Sequence, residues 1–247
     1  MNYTPDLSIV IPFYNEEVNI GPTASEVLAV MGAQESTTFE LILVDDGSRD
    51  RTGERADALA RRDTRVRALH LVPNSGQSAA LAAGFRAARG TVIATLDGDG
   101  QNDPADIPKA LDELKRRRAD MVAGIRKRRR DGVIRKLSSR IAYLVRSGIL
   151  RDGIVDTGCG LKVFQRAPML HVCLFRNSHR FYPALFQMHG YRVVQLPVAH
   201  RERKRGTSKY GGGINSRLWV GLADLAGVLW LKHRAFNYRV EEARPPR

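Results

Sequence analysis

Thr91-Val92-Ile93-Ala94-Thr95-Leu96-Asp97-Gly98-Asp99-Gly100-Gln101-Asn102-Asp103-Pro104 is an apolar run that stops abruptly in two carboxylates separated by one glycine. The run reads as a buried strand, and its acidic end as the rim of a sheet. With only Gly98 between them, Asp97 and Asp99 can turn their oxygens toward one hard cation while neighbouring backbone comes close. A cation seated on carboxylates at a strand's C-terminal end commonly holds substrate phosphates as well. The competing reading is an ordinary acidic turn, because Asp and Gly are both favoured in turns. The rest of the chain decides between them.

Strand-like runs recur at Leu7–Ile11, Phe39–Val44, Val66–Leu71 and Met121–Ile125, with helical patterns between them. Strand alternating with helix predicts an α/β fold, a mostly parallel central sheet with helices on both faces. Pro22 and Thr23 read as a first turn leading into Glu26–Met31, with Gly32 as the stop. Asp50 is a candidate N-cap for Arg51–Arg62, and Ser75 or Ser78 for the Ala-rich stretch to Arg89, ended by Gly90. Further on, the pattern predicts a basic amphipathic helix over Val133–Leu150, a strand at Leu161–Phe164, a helix at Phe181–Met188 and a last strand at Arg192–Val198. His200–Gly213 is rich in glycine and charge and reads as a loop.

The C-terminal end of each of the first four strands carries polar residues. These are Pro12-Phe13-Tyr14-Asn15-Glu16-Glu17, Asp45-Asp46-Gly47-Ser48, Pro73-Asn74-Ser75-Gly76-Gln77 and the double-aspartate loop. Ligands of open α/β sheets bind outside the carboxyl ends of the strands, so four loaded ends favour a site over four turns. At single positions the plainer readings stay open: Asp45 and Asp46 as turn caps, Glu16 and Glu17 as first-turn helix charges, Ser139 as a surface hydroxyl.

Composition sets further bounds. The 247 residues suffice for one large domain, or for one domain with a short appendage, and carry a net charge of +14. That charge is unevenly spread: residues 1–113 hold 10 Lys/Arg against 18 Asp/Glu, and residues 114–247 hold 30 against 8. An acidic half suits metal chemistry, whereas a basic half suits phosphates on nucleic acid or on an anionic lipid surface. The high pI admits a nucleic-acid-binding protein, but no nucleic-acid motif is present and the loaded strand ends lie in the acidic half. Cys159 and Cys173 lack metal-ligand spacing, which disfavours a disulfide scaffold or zinc site and fits a reducing, cytoplasmic setting. The first residues show no secretory signal, and the late apolar run Leu218–Leu231, interrupted by Asp224, is short for a span of about 20 residues.

In order along the chain, five segments resemble the inverting family 2 glycosyltransferases, in particular the dolichyl- and polyprenyl-phosphate sugar synthases of bacterial type. They are Ile11-Pro12-Phe13-Tyr14-Asn15-Glu16, Val44-Asp45-Asp46-Gly47-Ser48, Asp97-Gly98-Asp99-Gly100-Gln101, Asp156-Thr157-Gly158-Cys159-Gly160-Leu161-Lys162-Val163-Phe164 and Arg203-Lys204-Arg205-Gly206-Thr207-Ser208-Lys209-Tyr210. The resemblance implies a GT-A fold over residues 1–213, with a donor and metal half over about 1–113 and an acceptor half over 114–213. It implies a nucleotide-sugar donor and a Mn²⁺ or Mg²⁺ ion. Position by position, Pro12, Tyr14 and Glu16 would line the nucleoside pocket, Asp45 and Asp46 would reach the base, and Gln77 would lie nearby. Asp97, Asp99 and Gln101 would hold the metal and diphosphate, while Arg203 and Lys209 would close over the donor. Arg126, Arg135 and Ser139 would hold the phosphate of a polyprenyl (undecaprenyl or dolichyl) phosphate acceptor.

The resemblance leaves a second acceptor open, a saccharide hydroxyl in polysaccharide or lipopolysaccharide assembly, for which Asp156 would be the candidate base. Neither Trp219 nor Trp230 follows an arginine, so the Gln-x-x-Arg-Trp motif of processive members is missing and polymer synthesis is disfavoured. The Asp156–Phe164 segment, with His179-Arg180-Phe181-Tyr182-Pro183-Ala184 after it, looks closer to relatives that use UDP-sugars than to GDP-mannose enzymes. Residues 214–247 are expected as a C-terminal appendage. Within it Arg217–Lys232 would lie on an anionic membrane surface through Leu218, Leu222, Leu225 and Leu229, peripheral at the inner face of the cytoplasmic membrane. The alternative is that this stripe packs on its own domain or at a homo-oligomer contact.

Overall fold

A computed structural model describes residues 4–126, 146–203 and 214–236, with side chains of the last stretch from residue 219. Its centre is a seven-stranded sheet of order β3-β2-β1-β4-β6-β5-β7. The first four strands are β1 (Leu7–Phe13), β2 (Phe39–Asp45), β3 (Val66–His70) and β4 (Val92–Thr95). The others are β5 (Met121–Arg126), β6 (Lys162–Gln165) and β7 (Val193–Val198). All pairings are parallel except those of β6, which runs antiparallel between β4 and β5.

The sheet forms where the apolar runs predict it, and each run extends or contracts by a residue or two at its ends. Every residue of β1 and β2 is buried, as expected for strands covered on both faces. Alternation assigns their side chains to two cores. Leu7, Ile9, Ile11 and Phe13 face α1 (Glu17–Gly32), α2 (Thr52–Arg62) and α4 (Asp106–Arg116). Val10, Ile42 and Val44 face α3 (Gln77–Ala87), α5 (Arg166–His171), α6 (Tyr182–Met188) and α7 (Ile214–Lys232). Each fully buried Leu, Ile or Phe contributes about 1.5–3 kcal/mol, so the two-sided core fixes the strand order and with it the strand tips.

Three local expectations are corrected, and one helix was not foreseen. α1 starts at Glu17 and carries Pro22 in its interior. The hydrogen bond that Pro22 cannot donate would go to Val18, on the helix's exposed side, where water can replace it. Neither Ser75 nor Ser78 caps α3; the N-cap is Gly76, at φ 91°, and Ser75 Oγ donates to Pro73 O. α4 is a helix that the periodicity leaves unassigned; Pro108 lies in its first turn, where no backbone donor is needed. The apolar stripe of α7 is split: Leu225 and Val228 are buried in the second core and Leu229 packs against it, while Trp219 (71% exposed), Val220, Leu222 and Trp230 (62%) face outward. Of the helix expected over Val133–Leu150, residues 146–150 are helical and the rest lies outside the described residues, as do Arg135, Ser139 and Lys209.

Candidate active site

The tips of β1 and β2 are tied together before any ligand is considered. Asn15, at φ 51°, turns the chain from β1 into α1, a left-handed position that asparagine tolerates. Its N–H donates to Ser48 Oγ at 2.8 Å, and its Oδ1 accepts from Arg49 N at 2.7 Å. Asp45 accepts from Ser48 N at 3.0 Å and pairs through Oδ2 with His70 Nδ1 at 3.2 Å. Asp46 accepts from Asn74 Nδ2, Ser75 N and Gly76 N, each at 2.8 Å. The carboxylate of Asp46 thus anchors the 74–76 loop that leads into α3, rather than standing open toward a base. Pro12 is buried beside these tips and Tyr14 is half-buried.

From the α3 N-terminus, Gln77 Nε2 donates to Asp97 Oδ1 at 2.9 Å. Asn102 Oδ1 accepts from the Asp97 N–H at 2.8 Å, and Asp99 Oδ1 from Gln101 N at 3.1 Å. Two glycines let the chain pass close to this loop. A Cβ at Gly98 would stand 2.5 Å from Pro12 O, and one at Gly160 would collide with the Asp97 carboxylate and stand 2.7 Å from Asn102 Oδ1. Gly160 itself is fixed by Thr95 Oγ1, which donates to its carbonyl at 2.7 Å. Burial, and then the charge of Asp99, push the Asp97 carboxyl up to about 6. Two anions in a protein-walled loop repel one another, and an added cation would relieve them.

The chain after β7 brings cations to the acidic tips. Arg201 pairs with Glu26 at 2.5 Å and Asp103 at 2.8 Å. Arg203 pairs with Glu16 at 2.6 Å and lies 4.0 Å from Asp99. Glu16, from the tip of β1, and Asp99, from the tip of β4, therefore share one guanidinium. Gln101 Nε2 donates to Arg201 O at 3.2 Å, which leaves its Oε1 for a ligand.

The donor set fits a divalent cation. It consists of two carboxylates and an amide oxygen, all hard ligands. Among the described residues no group of three or more His, Cys, Asp or Glu side chains is arranged to hold a metal ion. A Mg²⁺-like ion is usually held this way, through one or two carboxylates, with substrate phosphates and water completing its shell.

Behind Asp97 lies a buried layer in which Lys162 and Cys159 join Arg126 and Asp156, the two members expected from the sequence. Lys162, in β6, is only 4% exposed, and its Nζ donates to Cys159 O. Burial lowers its pKa against the opposing influence of Cys159, Asp97 and Asp156. Burial raises the Cys159 thiol to about 11, so it is a packed, unionised side chain. Arg126 grips Asp156 with two hydrogen bonds of 2.7 Å, from Nε and Nη2. Asp156 also accepts from the backbone of Arg126 at 3.2 Å and of Gly158 at 3.1 Å. Arg126 is thus committed to a carboxylate, and Asp156, the candidate base for a hydroxyl acceptor, is enclosed by donors. The signal for this pair was in the sequence, in the first arginine of the 126–130 basic run at a strand end and an aspartate opening a glycine turn, but only the fold brings them together.

The order of strands and the loaded rim define a nucleotide-diphospho-sugar transferase fold of GT-A type. Mannosyl-3-phosphoglycerate synthase from Rubrobacter xylanophilus superposes with a TM-score of 0.67 at 16% identity, covering 98% of this chain and 79% of that one. Glucosyl-3-phosphoglycerate synthase from Mycobacterium tuberculosis, solved with Mn²⁺ and UDP-glucose, superposes with a TM-score of 0.65 at 17% identity, covering 90% and 79%. The family description "Glycosyl transferase family 2" matches residues 8–171. Among curated proteins, the dodecaprenyl-phosphate galacturonate synthase of Rhizobium johnstonii is 40% identical over 229 residues, 91% of this chain and 67% of the relative. The undecaprenyl-phosphate 4-deoxy-4-formamido-L-arabinose transferase of Pseudomonas paraeruginosa is 39% identical over 210 residues, 84% of this chain and 61% of the relative. The chain belongs to glycosyl transferase family 2.

Proposed function

We propose that this glycosyltransferase moves a sugar from a nucleotide-diphosphate sugar, a UDP-sugar, to a polyprenyl phosphate, with inversion at the anomeric carbon. The observation that carries the reading is the Asp97–Asp99 carboxylate pair at one rim, with Arg203 near Asp99 and Glu16 sharing the guanidinium. Two relatives at about this distance are named for transfer to dodecaprenyl and undecaprenyl phosphate, which supports the acceptor class.

In this reading Asp97 and Asp99, with Gln101 beside them, hold Mn²⁺ or Mg²⁺. Bound there, such an ion would supply positive charge to a nucleoside diphosphate leaving group. Gln77 and Asn102 fix the Asp97 carboxylate, and Arg203 supplies a further cation to the diphosphate. Pro12, Tyr14 and Asp45 line the nucleoside side, and Asp46 holds the loop beneath it. Arg135, Ser139 and Lys209 are carried with the proposal as acceptor and donor contacts. A phosphate monoester has its second pKa near about 6 and is already anionic at neutral pH. Its oxygen attacks the anomeric carbon as the bond from that carbon to the diphosphate breaks, so no side chain has to remove a proton. The enclosure of Asp156 by Arg126 supports this acceptor over a sugar hydroxyl, which would need a base.

The acceptor carries a lipid tail, and α7 supports a surface for it. Trp219, Val220, Leu222 and Trp230 face outward, as aromatic and aliphatic side chains do at headgroup depth. No helix among the described residues is long and apolar enough to cross a membrane. Attachment is proposed to be peripheral, at the inner face of the cytoplasmic membrane. Replacing Trp219 and Trp230 together with Gln should cut retention on anionic vesicles several-fold without moving the thermal midpoint; full retention would remove the surface. For the reaction itself, the purified chain is incubated with undecaprenyl phosphate and a panel of UDP- and GDP-sugars, with and without Mn²⁺. A lipid-linked sugar phosphate formed from a UDP-sugar only with metal is the expected product; transfer to a saccharide hydroxyl alone would overturn the reading.

A further inference from the structure

A short 3-10 turn, Ser178–Arg180, presses His179 onto the N-terminus of α3. Its ring Nδ1 lies 2.7 Å from Ser78 Oγ, and its backbone N–H donates to the same oxygen at 3.3 Å. Ser78 directly follows Gln77, which holds Asp97. Lys162 acts electrostatically on both Asp97 and His179. His179 therefore stands on the same rim as the carboxylate loop, one helix residue and one buried lysine away from it. Among the described residues Ser78 Oγ has no acceptor for its proton other than Nδ1, so the hydroxyl donates there while taking the backbone N–H on a lone pair. The ring proton then belongs on Nε2, which makes no hydrogen bond among the described residues, on a ring that is half-buried. Lys162 and Arg180 make the surroundings positive.

We propose that His179 is a substrate-binding residue that donates Nε2–H to an anionic oxygen of the substrate pair. That oxygen is either a phosphoryl oxygen of the acceptor or a carboxylate on the transferred sugar. Ser78 is the positioning residue that sets the ring's tautomer and plane. The inference rests on the sugar-transfer reading above.

The test uses two amides that mimic different ring nitrogens. His179→Gln places an N–H near the position of Nε2 and loses the Ser78 contact; His179→Asn keeps a group at Nδ1 and loses Nε2. Transfer to undecaprenyl phosphate is measured with UDP-galacturonate and UDP-galactose, alongside thermal midpoints. His179→Gln should retain kcat within about threefold at a lowered midpoint, and His179→Asn should lose at least tenfold at an unchanged midpoint. A merely structural histidine would give the reverse order, and His179→Asn within twofold of the unsubstituted protein overturns the proposal. If the loss in His179→Asn is a raised acceptor KM with both donors, the oxygen is the phosphate's; if it is confined to UDP-galacturonate, it is the sugar carboxylate. Were the unsubstituted protein itself inactive with undecaprenyl phosphate, the transfer reading would fail first, and separately.

Discussion

In the first half of the chain, carboxylates hold the rim by accepting N–H groups: Asp46 from the 74–76 loop, Asp45 from Ser48, Asp50 from Thr52. In the second half, arginines hold it by gripping carboxylates: Arg126 on Asp156, Arg201 on Glu26 and Asp103, Arg203 on Glu16. The acidic half is thus pinned from within, whereas the basic half, beside its own Arg126–Asp156 pair, fastens onto the acidic one through Arg201 and Arg203. Asp97 and Asp99 accept N–H groups as well, from Gln77 and Gln101, yet burial, and then the charge of Asp99, still raise the Asp97 carboxyl. A ligand that brings positive charge gains most at that pair.

The largest effect expected from breaking this contrast is at Asp99. Asp99→Asn should lower sugar transfer about a thousandfold, or about 4 kcal/mol of barrier, while the thermal midpoint stays level or rises because a like charge has gone. Near-normal turnover would place the cation elsewhere. Gly160→Ala comes next: its Cβ collides with Asp97, and overpacking of this kind costs about 1–3 kcal/mol. Turnover should fall more than tenfold, and an unchanged enzyme would mean that Asp97 is free to move. Asp46→Ala strands the donors of Asn74, Ser75 and Gly76, with an expected loss of about 2–3 kcal/mol in denaturant unfolding and a raised KM for the donor.

A smaller effect separates the two halves by their histidines. His70, between Asp45 and Asp57, would be lowered by burial but is raised on balance by the two carboxylates; His179, lowered by burial and by Lys162 and Arg180, falls to about 3. The folded protein therefore binds a proton at His70 more readily than the unfolded chain does. That contribution is present below the ordinary value of 6.5 and fades as pH rises through the raised one. At His179 the unfolded chain binds the proton first, so stability is lost as pH falls from 6.5 toward 3, about 2 kcal/mol by about pH 5. In His179→Gln that acid-side slope should disappear, and a histidine titration followed by NMR should show one group above the ordinary range and one silent down to about pH 4.

The contrast also marks what the sequence made legible. Apolar runs ending in Asp, Asn and Glu located β1 to β4 and their loaded tips, because buried parallel strands leave continuous hydrophobic stretches. The carboxylate pair was readable from its spacing; Gln77 came only with the resemblance, which set it near the nucleoside pocket, whereas it holds Asp97. The layer behind them was not: Lys162 looks like one more lysine of a basic half, and its burial follows from β6 lying between β4 and β5. Nor could periodicity foresee that β6 runs backwards, since a four-residue strand has no readable direction. His179 was marked only as part of the His179–Ala184 segment of the resemblance, with no role, because a histidine acquires one only when the 3-10 turn meets Ser78. In α7 the helical spacing of Leu222, Leu225 and Leu229 was visible, but which side faces protein was decided by packing against α6.

The reversed strand has one more consequence. β5 leaves the sheet at Arg126 and β6 re-enters it at Lys162, and both positions lie at the same rim as the carboxylate loop. Because the return ends at that rim, the residues just before β6 arrive there already shaped as a buttress: Asp156 props Arg126, and Gly160 leans its bare backbone against Asp97 from behind.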